Sequence, residues 1–169
     1  ATSRGATFFT SPTPASRRPP RWRVADRCCT TRARRVWPGR DEKVLASWNG
    51  LMLRAVAEAA RAFSHEGYRA LAVRNGEFLF THLVRDGRVL RTRTAGASRI
   101  AGFLEDYAAV GLGALSLYEL TFETLWLDRA RALANAVVTW FWDDEAATFF
   151  DTASDHEELI TRPRDITDN

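Results

Sequence analysis

Lysine is almost absent: Lys43 is the only one, against 23 arginines. The two cysteines, Cys28 and Cys29, are adjacent. They lack both the two-residue gap of a redox motif and the spacing of a zinc site. Neighbouring cysteines also do not readily close a relaxed disulfide with each other. The three histidines, His65, His82 and His156, show no metal-ligand spacing and read as surface residues. No metal and no cofactor is therefore expected. Nor is there an apolar run of the roughly 20 residues that span a bilayer, or a continuous apolar N-terminal segment of the signal-peptide kind. The expected setting is the cytoplasm, without a membrane partner. A Gly-rich phosphate loop and a Gly-x-Ser-x-Gly elbow are both missing, which argues against nucleotide and serine-hydrolase chemistry.

What is present is a globular composition, 46% hydrophobic and 11% aromatic, in 169 residues. That is enough for one domain with a real core. The net charge of +3 averages two unlike parts. Residues 1–40 hold ten arginines and one acid, a balance of +9, and residues 41–169 carry 14 basic and 20 acidic residues, a balance of −6. A basic tail beside an acidic body can hold nucleic acid through phosphate contacts. A solvated or non-native tail explains the same charge more simply, so nucleic acid is not an expected partner.

Residues 1–39 read as a disordered Arg/Pro-rich segment. Pro12, Pro14, Pro19 and Pro20 stand among Ser, Thr and Arg, and no helical or strand period persists. The folded domain is expected over 40–169. From Lys43 to about Ser64, Val44, Leu45, Trp48, Leu51, Met52, Val56, Ala60 and Phe63 have the spacing of a helix with one buried face. A second helix follows Ser64-His65-Glu66-Gly67, with Tyr68, Ala72, Leu79 and Leu83 inward. Asp86-Gly87 signals a turn into a short extended piece, Val89 to Thr94, and Gly96 to Gly102 reads as a loop. A third helix, about Phe103 to Phe122, is apolar almost all round. A fourth, about Leu125 to Trp142, is amphipathic, and Phe149-Phe150-Asp151 repeats the extended excursion.

A shift of 58 residues places Tyr68 on Trp126, Ala72 on Ala130, Leu79 on Val137, Leu83 on Phe141 and Asp86 on Asp144. It also places Trp48 on Asp106 and Asn49 on Tyr107. The unit is helix, helix, short extended turn, repeated about twice, and such units bury a continuous core only by stacking on neighbours. The fold class expected is mainly α: about two helical hairpins with short extended turns, part of a larger array.

The runs Pro38-Gly39-Arg40-Asp41-Glu42-Lys43, Ser47-Trp48-Asn49-Gly50-Leu51-Met52 and Gly102-Phe103-Leu104-Glu105-Asp106-Tyr107 carry a family resemblance. Phe141-Trp142-Asp143, Phe149-Phe150-Asp151-Thr152 and Arg162-Pro163-Arg164-Asp165 extend it. Together they resemble the thioredoxin-domain-containing family of spermatogenesis-associated protein 20. The resemblance implies a partial (α/α)6 toroid of the six-hairpin, glycosidase-like class. It also implies a role in carbohydrate metabolism or sugar binding, with a thioredoxin-like domain as partner in the full-length protein. The alternative is a non-catalytic helical scaffold for that domain. No redox motif is present, so redox activity is not carried over. Residues 1–33 do not resemble the family and are expected to be non-native, from out-of-frame or mis-started translation. The remainder reads as a fragment without turnover of its own.

Toroids of this kind place sites at one end of their inner helices. By that analogy Glu105 and Asp106 are the candidate catalytic carboxylates, suited to general acid and base work on a sugar. Acids in a first helical turn also serve the helix dipole or cap it. Trp48, Asn49, Tyr107 and Asp41 are the candidate substrate-binding residues. Trp48 and Tyr107 offer aromatic faces that can stack on a sugar ring or pack in the core. A buried Asn49 must find hydrogen-bond partners, and Gly50 beside it implies close backbone packing or a ligand contact.

Overall fold

The computed structural model describes residue 39, residues 41–156 and residues 162–164. The chain divides into one unit of Ala1–Phe8 with Lys43–Asn169 and another of Phe9–Glu42. The expectation of disorder for residues 1–39 falls, Gly39 apart, outside the described residues, as does the non-native origin expected for residues 1–33.

Elements follow in the order β1 (Val44–Leu45), α1 (Ala46–Phe63), α2 (Glu66–His82), β2 (Val84–Arg85), β3 (Arg88–Thr94), β4 (Ala97–Ala101), α3 (Leu104–Thr121), α4 (Thr124–Phe141), β5 (Trp142–Asp143) and β6 (Thr148–Phe149). The fold is mainly α, built from two helical hairpins. The 58-residue repeat is carried by the backbone. Adding 58 to the bounds of α1, 46 and 63, gives 104 and 121, the bounds of α3; β2 at 84–85 becomes β5 at 142–143. The helix ends match too, since α1 closes on Ser64 at φ 49° and α3 on Phe122 at φ 58°, both left-handed caps.

Three sequence expectations are corrected. Val44 and Leu45 do not begin the first helix. They form β1, antiparallel to Arg93 and Thr92 of β3, because an available strand edge satisfies their backbone groups before the helix starts. The expected loop from Gly96 to Gly102 is largely β4, which pairs along β3 from Leu90↔Ala101 to Thr94↔Ala97. Ala95 (φ 49°) and Gly96 (φ 82°) make the tight two-residue turn between them, whose twist suits a hairpin. The signal was hidden because alanine is not a usual turn residue.

The third correction concerns which side of α1 is buried. Trp48, Leu51 and Phe63 are exposed, while Ala46, Asn49, Gly50, Leu53, Ala57 and Ala60 are buried. The small residues face inward because α1 lies against α3 at close range. A Cβ added at Gly50 would stand 2.6 Å from the Ala109 carbonyl carbon, and one at Gly113 would stand 3.0 Å from the Gly50 carbonyl oxygen. Around this contact the core gathers Leu53, Leu79, Val89, Val110, Leu117 and Phe141. Helix α3 packs on both α1 and α4, in keeping with its nearly continuous apolar sequence.

Gly50→Ala should destabilise the protein by about 2 kcal/mol, because a methyl pressed on backbone forces the helices apart. That loss outweighs the ~1 kcal/mol that alanine gains in helix propensity. Urea denaturation of the variant checks it, and a stability equal to the wild type would contradict the close contact.

Candidate functional site

The starts of α1 and α3 meet at Asp106. Its side chain is fully buried, at 0% exposure. One oxygen, Oδ1, accepts the Ser47 backbone N–H at 3.0 Å, and Oδ2 accepts the Phe103 backbone N–H at 3.0 Å. The second of these caps α3 from its own first turn, and the first reaches across to α1. Helix α1 has no acid in its first turn, and Leu45 before it makes no side-chain cap. The buried Ser47 N–H of its first turn is therefore served by the neighbouring helix. Arg91 of β3 approaches the same carboxylate, with Nη1 3.2 Å from Oδ2.

Glu105 is placed differently. Its carboxylate is solvent-facing and receives Arg91 Nη1 at 2.7 Å, while the Arg91 guanidinium lies 4.4 Å over the Phe103 ring. An exposed pair of this kind adds at most about 1 kcal/mol to stability, so Glu105 is free of heavy structural duty. Trp48, on the first turn of α1, is 54% exposed. Tyr107 is 1% exposed and stands edge-on to Phe141 with ring centroids 5.1 Å apart. Burial raises its hydroxyl above the usual tyrosine range, against the opposing effect of the Val89 backbone beside it.

Asn49 is buried. It donates from Nδ2 to the Leu45 carbonyl at 2.8 Å, and its own carbonyl accepts Asn75 Nδ2 at 3.1 Å. The Asn75 side chain thus ties the helix start to α2 through the Asn49 backbone carbonyl, while the Asn49 amide braces its own helix start and Gly50 beside it supplies the close approach to α3. Asp41 is exposed and belongs to the Phe9–Glu42 unit. The structure therefore brings Trp48, Asn49, Glu105, Asp106 and Tyr107 to the paired starts of α1 and α3, with only Trp48 and Glu105 opening to solvent.

A cavity of about 690 Å³ lies beside the start of α3, walled by Ile100, Ala101, Phe103, Thr152, Asp155, His156 and Pro163. None of the sequence-nominated residues lines it. His156, read from sequence as a surface residue, instead packs its ring 5.6 Å from Phe103. Asp155 pairs with Arg88 at 2.6 Å. The Phe-Phe-Asp-Thr run reaches this place because the Leu104 N–H donates to the Asp151 carbonyl at 2.9 Å. That motif and Arg162-Pro163-Arg164 were the available signal for this wall. Their convergence depends on the turn after β6, which carries no period.

Burial raises the Asp106 carboxyl above the ordinary carboxylate range, with the Phe103 and Ser47 amides and Arg91 opposing it. A group raised on folding contributes most when protonated, and that contribution is lost as pH climbs through the folded value. Asp106→Asn should destabilise the protein by about 2 kcal/mol in acid, because an amide nitrogen offers no lone pair to the facing N–H, whereas a protonated carboxyl still does. The gap from wild type should narrow as pH rises through the raised value. Chemical denaturation across the range checks this; a gap that widens with pH would contradict it.

No family model matches the chain. Spermatogenesis-associated protein 20 from Rattus norvegicus is 38% identical over 120 residues, 65% of this chain and 15% of that protein. The Homo sapiens protein is 35% identical over 129 residues, covering 70% of this chain and 16% of its own length. The chain thus spans about 15% of the length of the curated relatives it matches. Among solved structures, an alpha-amylase from Clostridium perfringens matches with a TM-score of 0.56 at 14% identity, over 67% of this chain and 31% of its own. A GH76 alpha-mannanase from Bacteroides thetaiotaomicron matches at 0.53 and 19% identity, covering 63% and 30%. A sugar epimerase from a ruminal bacterium matches at 0.59 and 9% identity, covering 68% and 31%. Over the residues it spans, the chain is a homologue of spermatogenesis-associated protein 20, folded as part of a glycosidase-like (α/α)6 toroid.

Proposed function

We propose that the paired starts of α1 and α3 form part of the rim of a carbohydrate-binding site. The observation that carries this reading is the exposed Trp48 on the first turn of α1, at the end where Glu105 presents a solvent-facing carboxylate. An indole face suits the apolar C–H side of a sugar ring, and a carboxylate beside a guanidinium suits its hydroxyls. The three solved structures that share the fold are an amylase, a mannanase and a sugar epimerase. That likeness supports a sugar as the ligand class. In this reading Glu105 is the carboxylate available to substrate, whereas Asp106 positions the two helix starts, and Asn49 and Tyr107 support them from behind. The chain covers about 30% of each toroid it matches, and in this reading its residues supply one wall of the site.

The second reading is a helical scaffold that serves a thioredoxin-like domain in the longer protein. The burial of Asp106 and Tyr107 in cap and core contacts favours it.

Calorimetric titration with malto- and manno-oligosaccharides separates the two. The sugar reading expects weak binding that falls about tenfold, or about 1.4 kcal/mol, in Trp48→Ala, with the melting temperature unchanged. No heat with any of these sugars, or binding indifferent to Trp48, would leave the scaffold.

A further inference from the structure

The cavity beside the start of α3 lies between two segments of the chain that bond to each other. One side is Ile100, Ala101 and Phe103, and the other is Thr152, Asp155, His156 and Pro163. The Leu104 N–H donates to the Asp151 carbonyl at 2.9 Å, and the Asp151 N–H donates to the Pro163 carbonyl at 3.1 Å. The Ser154 N–H reaches the Trp140 carbonyl at 2.8 Å, which anchors the second side on α4. At about 690 Å³ the space has the size of a small-molecule pocket.

Its polar groups have no work in the fold. Thr152 is 6% exposed, yet its hydroxyl makes no hydrogen bond, and the buried Nε2 of His156 makes none either. Two more such atoms belong to residues bonded to this wall. Arg88, whose Nη1 is unpartnered, holds Asp155 Oδ1 through Nη2 at 2.6 Å. Arg162, whose Nε is unpartnered, donates through Nη2 to the Thr152 carbonyl. Four buried polar atoms without partners therefore gather at one corner, and burial without a partner costs free energy that the fold does not recover here. The rest of the lining is apolar, from Ile100, Ala101, Phe103 and Pro163.

We infer that this cavity is a saccharide-binding pocket in its own right, taking a short sugar whose hydroxyls meet Thr152 and His156. A hydroxyl, an imidazole and the Asp155 carboxylate together offer donors and acceptors, as sugar hydroxyls require. The apolar lining suits the C–H face of the ring. The pocket shares its ligand class with the rim at Trp48 and none of its residues.

The test follows histidine and indole ring signals of the full chain by NMR during addition of maltose or mannobiose. His156→Gln and Trp48→Phe identify the two signals that matter. A saturable shift of the His156 signal is expected with at least one of the two sugars. Thr152→Val should weaken that binding about fivefold and leave the melting temperature equal or higher, because the hydroxyl it removes has no partner in the fold. A sugar that moves the Trp48 signal but not His156 would overturn the pocket and leave the rim reading standing. A shift at His156 alone would support the pocket and count against the rim, and no shift at either would overturn both. A Thr152→Val protein that loses stability and binds as before would overturn the pocket too, since the hydroxyl would then be structural.

Discussion

One carboxylate holds the start of both central helices. Asp106 accepts a backbone N–H from its own helix and another from the neighbouring one, so the two helix starts are fixed in register. Their spacing is then set a turn further along, where Gly50 lets α1 come within van der Waals reach of the Ala109 backbone. Neither device stands alone. Without the glycine, the helices separate and the Ser47 amide loses its acceptor. Without the carboxylate, the Ser47 N–H loses its acceptor in a first turn that has no acid of its own. Strand β3 completes the arrangement, since Arg91 reaches this carboxylate from the sheet and Thr92 pairs with Leu45 just before α1 begins.

Much of this architecture is legible in the sequence because the repeat is. A shift of 58 residues aligns helix bounds as well as side chains, and the αL caps at Ser64 and Phe122 follow it. The buried face of α1 was not legible by the same route. Hydrophobic spacing selects Trp48, Leu51 and Phe63, the largest apolar residues, whereas close helix packing selects Ala46, Gly50 and Ala57. Size and burial run in opposite directions wherever two backbones nearly touch. The pair Asn49-Gly50 did carry the right hint, because an amide and a glycine inside a helix are costly unless a neighbour uses them. Strand β4 escaped notice for a local reason, as its turn places Ala95 at positive φ.

The candidate site divides along the same line. From sequence, Glu105 and Asp106 are interchangeable acids, adjacent in a first helical turn. In the structure one points to solvent and the other into the junction. The difference comes from helical geometry: successive residues are about 100° apart around the axis, and only the Asp106 direction faces Ser47. A similar division separates Trp48 from Asn49. The cavity beside Phe103 was hidden from sequence because its walls come from β4, the turn after it and the segment around Thr152, which share no period.

Equivalent positions in the two repeats do different work, and this explains how a repeated backbone can acquire one functional end. Position 48 in the first repeat holds an outward tryptophan, and position 106 in the second holds an inward aspartate. If both were caps, each helix would serve itself and the end would be smooth and polar. If both were aromatic, neither helix start would have its amides satisfied. The observed asymmetry lets one carboxylate cap two helices, and so releases the first turn of α1 from capping. An exposed indole can stand there at no cost to the backbone. The structural economy at Asp106 and the chemical opportunity at Trp48 are the two sides of a single arrangement.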